Sequence, residues 1–123
     1  MNIKLIFGTD TLVFPSETPE GKSITSVRIS GPNKYAAKIF LVGYDKKVKT
    51  IVFNSGIQEI KGSEYDFLRF KKVTKVIVPN TVTSIDADAF SCIENRFIIS
   101  FPSGQNSKLK IPSGKWGATK IEK

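Results

Sequence analysis

The sequence predicts a mostly β domain made by stacking a repeated unit, and three observations predict it. An apolar residue followed by a tight-turn word recurs: Phe14-Pro15-Ser16, Ile29-Ser30-Gly31, Phe53-Asn54-Ser55-Gly56, Val78-Pro79-Asn80, Phe101-Pro102-Ser103-Gly104 and Ile111-Pro112-Ser113-Gly114. The turn-opening residues stand 15, 24, 25, 23 and 10 positions apart, and three successive gaps near 24 fall in the range of a stacked solenoid coil. Leading into four of the turns are apolar pairs of one parity, Val27 and Ile29, Ile51 and Phe53, Val76 and Val78, Ile99 and Phe101. A short strand with one buried face requires that alternation, and strands repeated at this period stack into a parallel β ladder.

Residues 1–21 read as an N-terminal cap. Ile3 to Phe7, the turn word Gly8-Thr9-Asp10, and Thr11 to Phe14 form the pattern of a β-hairpin. Residues 22–102 hold the coils: Val48 to Phe53 matches Val73 to Val78 at an offset of 25, and Ile24 to Ile29 precedes the first at an offset of 24. Each strand ends at a turn because Pro presets φ there, while Gly, Asn and Ser tolerate the conformations that follow. After the turn, Ile57 and Ile60 recur as Val82 and Ile85. The return leg then carries short aromatic segments, too short for independent helices. Tyr35 to Phe40 and Tyr65 to Phe70 read as one or two helical turns with Asn33 and Ser63 as N-caps, and Ala89-Phe90 with Ile93 as a tighter turn. Residues 103–123 read as a C-terminal cap, with Lys108 to Ile111 pairing as a hairpin onto Phe97 to Phe101 across Pro102 to Ser107. Stacked coils need such caps, because open apolar ends and strand edges invite aggregation. Trp116, the only tryptophan, covers the last coil in this reading.

The stretch Pro79-Asn80-Thr81-Val82-Thr83-Ser84-Ile85-Asp86-Ala87-Asp88-Ala89-Phe90 closely resembles the repeat of BspA-like leucine-rich-repeat proteins, with Pro, Val, Ile and the Ala-Phe pair at the expected spacing. The resemblance is strongest over residues 72–102 and extends over roughly residues 46–104, with Asn54, Ile57, Ile60 and Tyr65 at the equivalent positions of the preceding coil. Two positions depart from it. Ile93 stands where the family has cysteine, Cys92 falling one place early, and Arg96 replaces the following leucine; a local slip that puts Phe97 or Ile98 into the core repairs the register. The resemblance implies a short right-handed leucine-rich-repeat solenoid, used in that family to bind proteins or surfaces, often on bacterial cell exteriors, and it implies no catalysis.

Composition bounds the chemistry. At 123 residues, with 40% hydrophobic and 24% charged residues, the chain reads as one domain with a core of its own. The apolar run Ile3-Lys4-Leu5-Ile6-Phe7 is interrupted by lysine and stops at Gly8, too short for a secretory signal or a membrane span, so the expected location is cytoplasmic, or the cell surface if the chain is a fragment of a larger protein. A single cysteine excludes an internal disulfide, and the absence of histidine removes the commonest metal ligand and general base. The close acidic pairs, Asp86 with Asp88 and Glu64 with Asp66, fall on turns where capping and solvation account for them. Cys92 has no histidine to make it a thiolate and reads as a structural thiol. No phosphate loop or metal-ligand cluster is visible, so neither an enzyme nor a cofactor is expected.

The formal charge of +8 is concentrated: residues 22–49 carry a net +6 and residues 96–123 a net +5, while the other segments are near neutral or acidic. In the 24–25-residue register Lys22, Lys46 and Lys71 superimpose, as do Lys47 and Lys72, at the roughly 5 Å spacing of neighbouring strands. Like charges so close repel and make a candidate anion site. The ordinary alternative is that flexible lysines fan into water or guard strand ends. The open parity of the ladder is the other candidate surface. Arg28, Thr50, Val52, Lys75, Ile77 and Ser100 face away from the core in this register, a mixture of apolar and basic groups suited to a protein partner, acidic groups on it answering the lysines. A protein-binding module is therefore the leading reading, a basic nucleic-acid or polyanion-binding factor the second, and a phage or mobile-element inhibitor of an anion-binding enzyme a third. Two capped ends predict a monomer, whereas an uncovered edge strand permits a dimer.

Overall fold

A computed structural model describes residues 4–5, 11–14, 26–28, 48–62, 70–91 and 93–123. The architecture is mostly sheet, with parallel strands and almost no helix. A six-stranded sheet has the order β1-β2-β4-β6-β8-β9, and a three-stranded sheet the order β3-β5-β7. The large sheet is built from β1 (Lys4–Leu5), β2 (Thr11–Phe14), β4 (Thr50–Phe53), β6 (Lys75–Ile77), β8 (Ile98–Ser100) and β9 (Lys120–Glu122). The small one comprises β3 (Ser26–Arg28), β5 (Glu59–Lys61) and β7 (Ser84–Ile85). From β2 to β8 the chain visits the two sheets in turn, and every pairing is parallel except that of β1 with β2.

Alternation decides the buried face. In the large sheet Ile51, Phe53, Val76, Val78, Ile99 and Phe101 are buried, and from the other side come Ile57, Ile60, Val82, Ala89 and Phe90. Phe90 is the hub: its ring lies 6.4 Å from Phe53 and 6.0 Å, edge-on, from Phe97. Phe97 is buried in the core, and Ile98 stays half-buried on the opposite parity. Turns repeat with the same hydrogen bond, Ile57 N–H to the Asn54 carbonyl and Val82 N–H to the Pro79 carbonyl, both 3.3 Å.

Successive passes of the chain are also joined through turns. Thr81 Oγ1 accepts from Gly56 N–H at 3.0 Å and donates to the Ile57 carbonyl at 2.7 Å. Asp86 Oδ2 accepts from Gly62 N–H at 2.9 Å. The carboxylate of Asp88 stands over the same glycine, in the place a Cβ would take, though Asp88 is exposed and its side chain can swing aside. The Asp86 carboxylate thus ties its own pass of the chain to the preceding one.

Three expectations are corrected. Ser26–Arg28 is not a rung above Thr50–Phe53: it pairs with Glu59–Lys61 in the small sheet, and Thr11–Phe14, expected only as a cap strand, is the neighbour of β4. The physical reason is the closer sequence match of Thr11-Leu12-Val13-Phe14 to Thr50-Ile51-Val52-Phe53, with which it pairs residue for residue. The apolar pairs of the return leg, Ile57 with Ile60 and Val82 with Ile85, for which no element was expected, lead into a second parallel ladder. Finally, the C-terminal hairpin does not form. Lys108 to Ile111 lies outside any strand, and Lys120–Glu122 pairs parallel with β8, continuing the sheet with Ile121 beside Ile99. The return segments expected as helical turns, Tyr35 to Phe40 and Tyr65 to Arg69, lie outside the described residues.

Trp116 is buried, as expected, and its indole N–H donates to the Ile85 carbonyl at 3.2 Å. It reaches that position from a tight turn whose residues Lys115 and Trp116 both have φ of 51°, a left-handed conformation unusual for side chains of this size.

Candidate interaction surface

Among the described residues the large sheet has one face in the core and one open. Register sets two rows across the open face: Thr11, Thr50, Lys75, Ile98 and Lys120 in one, Val13, Val52, Ile77, Ser100 and Glu122 in the other. Neighbouring strands lie roughly 5 Å apart, so the residues of each row stand as cross-strand neighbours. Val13, Val52 and Ile77 are consecutive and half-buried, and half-buried Ile98 lies diagonally beside Ile77. An apolar centre results. Lys75 interrupts the first row between Thr50 and Ile98, and at the far edge Lys120 is exposed and Glu122 partly so.

The structure brings together Thr50, Val52, Lys75 and Ile77, which the sequence places on one face. Ser100 occupies the expected row but is buried, at 9% exposure, because a short side chain between the longer Ile77 and Glu122 is shielded by both. Arg28 does not belong to this surface: it ends β3 in the other sheet, opposite Lys61. Sequence reasoning missed Val13, whose signal was available in the match of Thr11–Phe14 to Thr50–Phe53 and was obscured by the 39-residue spacing between them.

Of the anion-site lysines, Lys71 and Lys72 are exposed in the bend after Phe70, and Lys22, Lys46 and Lys47 lie outside the described residues. The superposition of Lys22 on Lys46 presupposed Ile24 to Ile29 stacking on Val48 to Phe53, and the pairing of β3 with β5 removes that premise. On the small sheet Lys61 forms an ion pair with Glu59 at 2.8 Å, both side chains about half exposed, an arrangement of small energetic consequence. Among the described residues no group of three or more His, Cys, Asp or Glu side chains could hold a metal ion, and no helix is long and apolar enough to cross a membrane. Cys92, Glu64 and Asp66 lie outside the described residues. No protein-family model, curated protein or solved structure matches this chain.

Proposed function

We propose that this chain is a short leucine-rich-repeat solenoid of the BspA-like type and that it acts as a non-enzymatic binding module, holding a protein partner on the open face of its large sheet. The alternation of the chain between two parallel sheets and the recurring turn bonds support the repeat reading, as does the burial of Ala89, Phe90 and Phe97. The observation that carries the function is the continuous apolar line Val13, Val52 and Ile77, with Ile98 beside it and Lys75 set into it. Such a face combines area worth removing from water with cationic groups that orient a partner, here one with an apolar centre and acidic flanks.

The test is a paired substitution. Val52→Asp with Ile77→Asp places two carboxylates in the centre of the face and abolishes capture of the partner while circular dichroism and melting show the fold intact. Lys71→Glu with Lys72→Glu leaves that capture unchanged. The polyanion reading replaces this one if the chain binds mixed DNA or RNA at micromolar concentration in physiological salt, with a log–log salt slope of about −0.9 per phosphate neutralised, and if the lysine variant, not the aspartate variant, loses binding.

A further inference from the structure

The two sheets end differently at their C-terminal edges. On the small sheet the outermost strand β7 is covered: the Trp116 indole donates to the Ile85 carbonyl at 3.2 Å, and nearby Asn106 Nδ2 donates to the Asn80 carbonyl at 2.7 Å. On the large sheet β9 is outermost, and among the described residues no strand pairs with its outer side. The Glu122 carbonyl accepts from Phe101 N–H at 2.8 Å and so faces β8. Strand alternation then turns the N–H and C=O of Ile121 outward.

We propose that β9 is a self-complementary edge through which two copies of this chain pair antiparallel about a two-fold axis at Ile121. In that register Ile121 of each copy exchanges both backbone hydrogen bonds with its counterpart, and Lys120 of each stands opposite Glu122 of the other. Lys120 and Glu122 share the open face while Ile121 occupies the core parity, half-exposed at this edge, so pairing matches opposite charges twice on one side and covers apolar surface on the other. Charge complementarity selects the second copy as occupant. Among the described residues neither Lys120 nor Glu122 has an ion-pair partner, in contrast to Glu59 and Lys61, two residues apart in the same way on β5. The product is one sheet running through both copies, with the apolar lines of the two open faces on the same side. This goes beyond the partner-binding reading and stands or falls separately from it.

Sedimentation over a concentration series tests it, with emission of the sole tryptophan, buried Trp116, as the control for folding. Wild type is expected to show a monomer–dimer equilibrium that weakens with salt. Lys120→Glu and Glu122→Lys each turn two attractive pairs into two repulsive ones and raise the dimer Kd about tenfold or more. The double exchange Lys120→Glu with Glu122→Lys restores the pairs in reversed order and returns Kd to near the wild-type value. A wild type that stays monomeric throughout the series, a single reversal without effect, or a double exchange that stays as weak as the singles overturns the proposal.

Discussion

Replacing Thr81 by valine keeps the shape of the side chain and removes its hydroxyl, which isolates the link between two successive passes of the chain. The hydroxyl accepts from Gly56 N–H at 3.0 Å and donates to the Ile57 carbonyl at 2.7 Å. A net hydrogen bond contributes about 1 kcal/mol, and a backbone group stranded away from water costs more. Thr81 and Gly56 are only partly buried, so water recovers a share of the loss, and the expected destabilisation is about 1.5 kcal/mol. For a chain of this length that corresponds to a fall in Tm of roughly 4–8 °C. Thr83→Val supplies the internal control, since its hydroxyl reaches the Gln58 carbonyl at 3.4 Å in an exposed position and should change stability by less than about 0.5 kcal/mol. Urea unfolding followed by Trp116 fluorescence measures both, with an unchanged m-value confirming that the same surface is exposed. Equal effects of the two substitutions, or a Thr81→Val protein as stable as wild type, would refute the view that the threonine clamps one pass to the next.

Gly62→Ala meets only the exposed carboxylate of Asp88, which can swing aside, so it should cost less than about 1 kcal/mol, and that cost should vanish when Asp88→Ala is present, as a double-mutant cycle of unfolding free energies will show. Phe90→Ala empties the space between Phe53 and Phe97 and is expected to destabilise by about 3–5 kcal/mol in denaturant titration, enough to leave much of the protein unfolded at moderate temperature. Lys115→Gly relieves the left-handed backbone at an exposed position; the roughly 1 kcal/mol released is partly offset by the greater freedom of glycine in the unfolded chain, so Tm should stay level or rise slightly. Trp116→Phe keeps most of the packing but leaves the Ile85 carbonyl without its indole donor, and should cost about 1–2 kcal/mol in thermal unfolding monitored by circular dichroism.

Strand existence and strand faces were legible from the residues alone because alternation is a local property. Ile51 and Phe53, Val76 and Val78, Ile99 and Phe101 turn inward as their parity demands, and Thr50, Val52, Lys75 and Ile77 turn outward. Partner choice was less legible. Val27 and Ile29 have the same alternation as Ile51 and Phe53 at nearly the same period, yet Ser26–Arg28 pairs with β5 and Thr11–Phe14 takes the place beside β4. Alternation says which way a residue faces within a strand; it does not say which sheet the strand joins. Arg28 entered the candidate surface through that ambiguity, and Val13 was left out by it. The C-terminal segment failed for a related reason: Lys108 to Ile111 has the apolar content of a strand, but Lys120–Glu122 supplies the rung that lets Ile121 follow Ile51, Val76 and Ile99 along one inner row.

By itself the sequence determined that this chain is a mostly β protein of short parallel strands, each with one apolar parity, interrupted at turns by Pro, Asn and Gly. It also specified the turn chemistry, the packing role of Trp116, and the apolar-and-basic character of the open face. Those are consequences of side-chain period and backbone preference, which act over a few residues. Only the tertiary structure decided the order of strands in two sheets, the line of Val13, Val52 and Ile77, and the place of β9, with Lys120 and Glu122 flanking Ile121, at the end of the large sheet. Pairing joins residues between 22 and 39 positions apart in the large sheet's parallel ladder, and at such separations the choice among similar strands rests on how well all the inner side chains pack together at once.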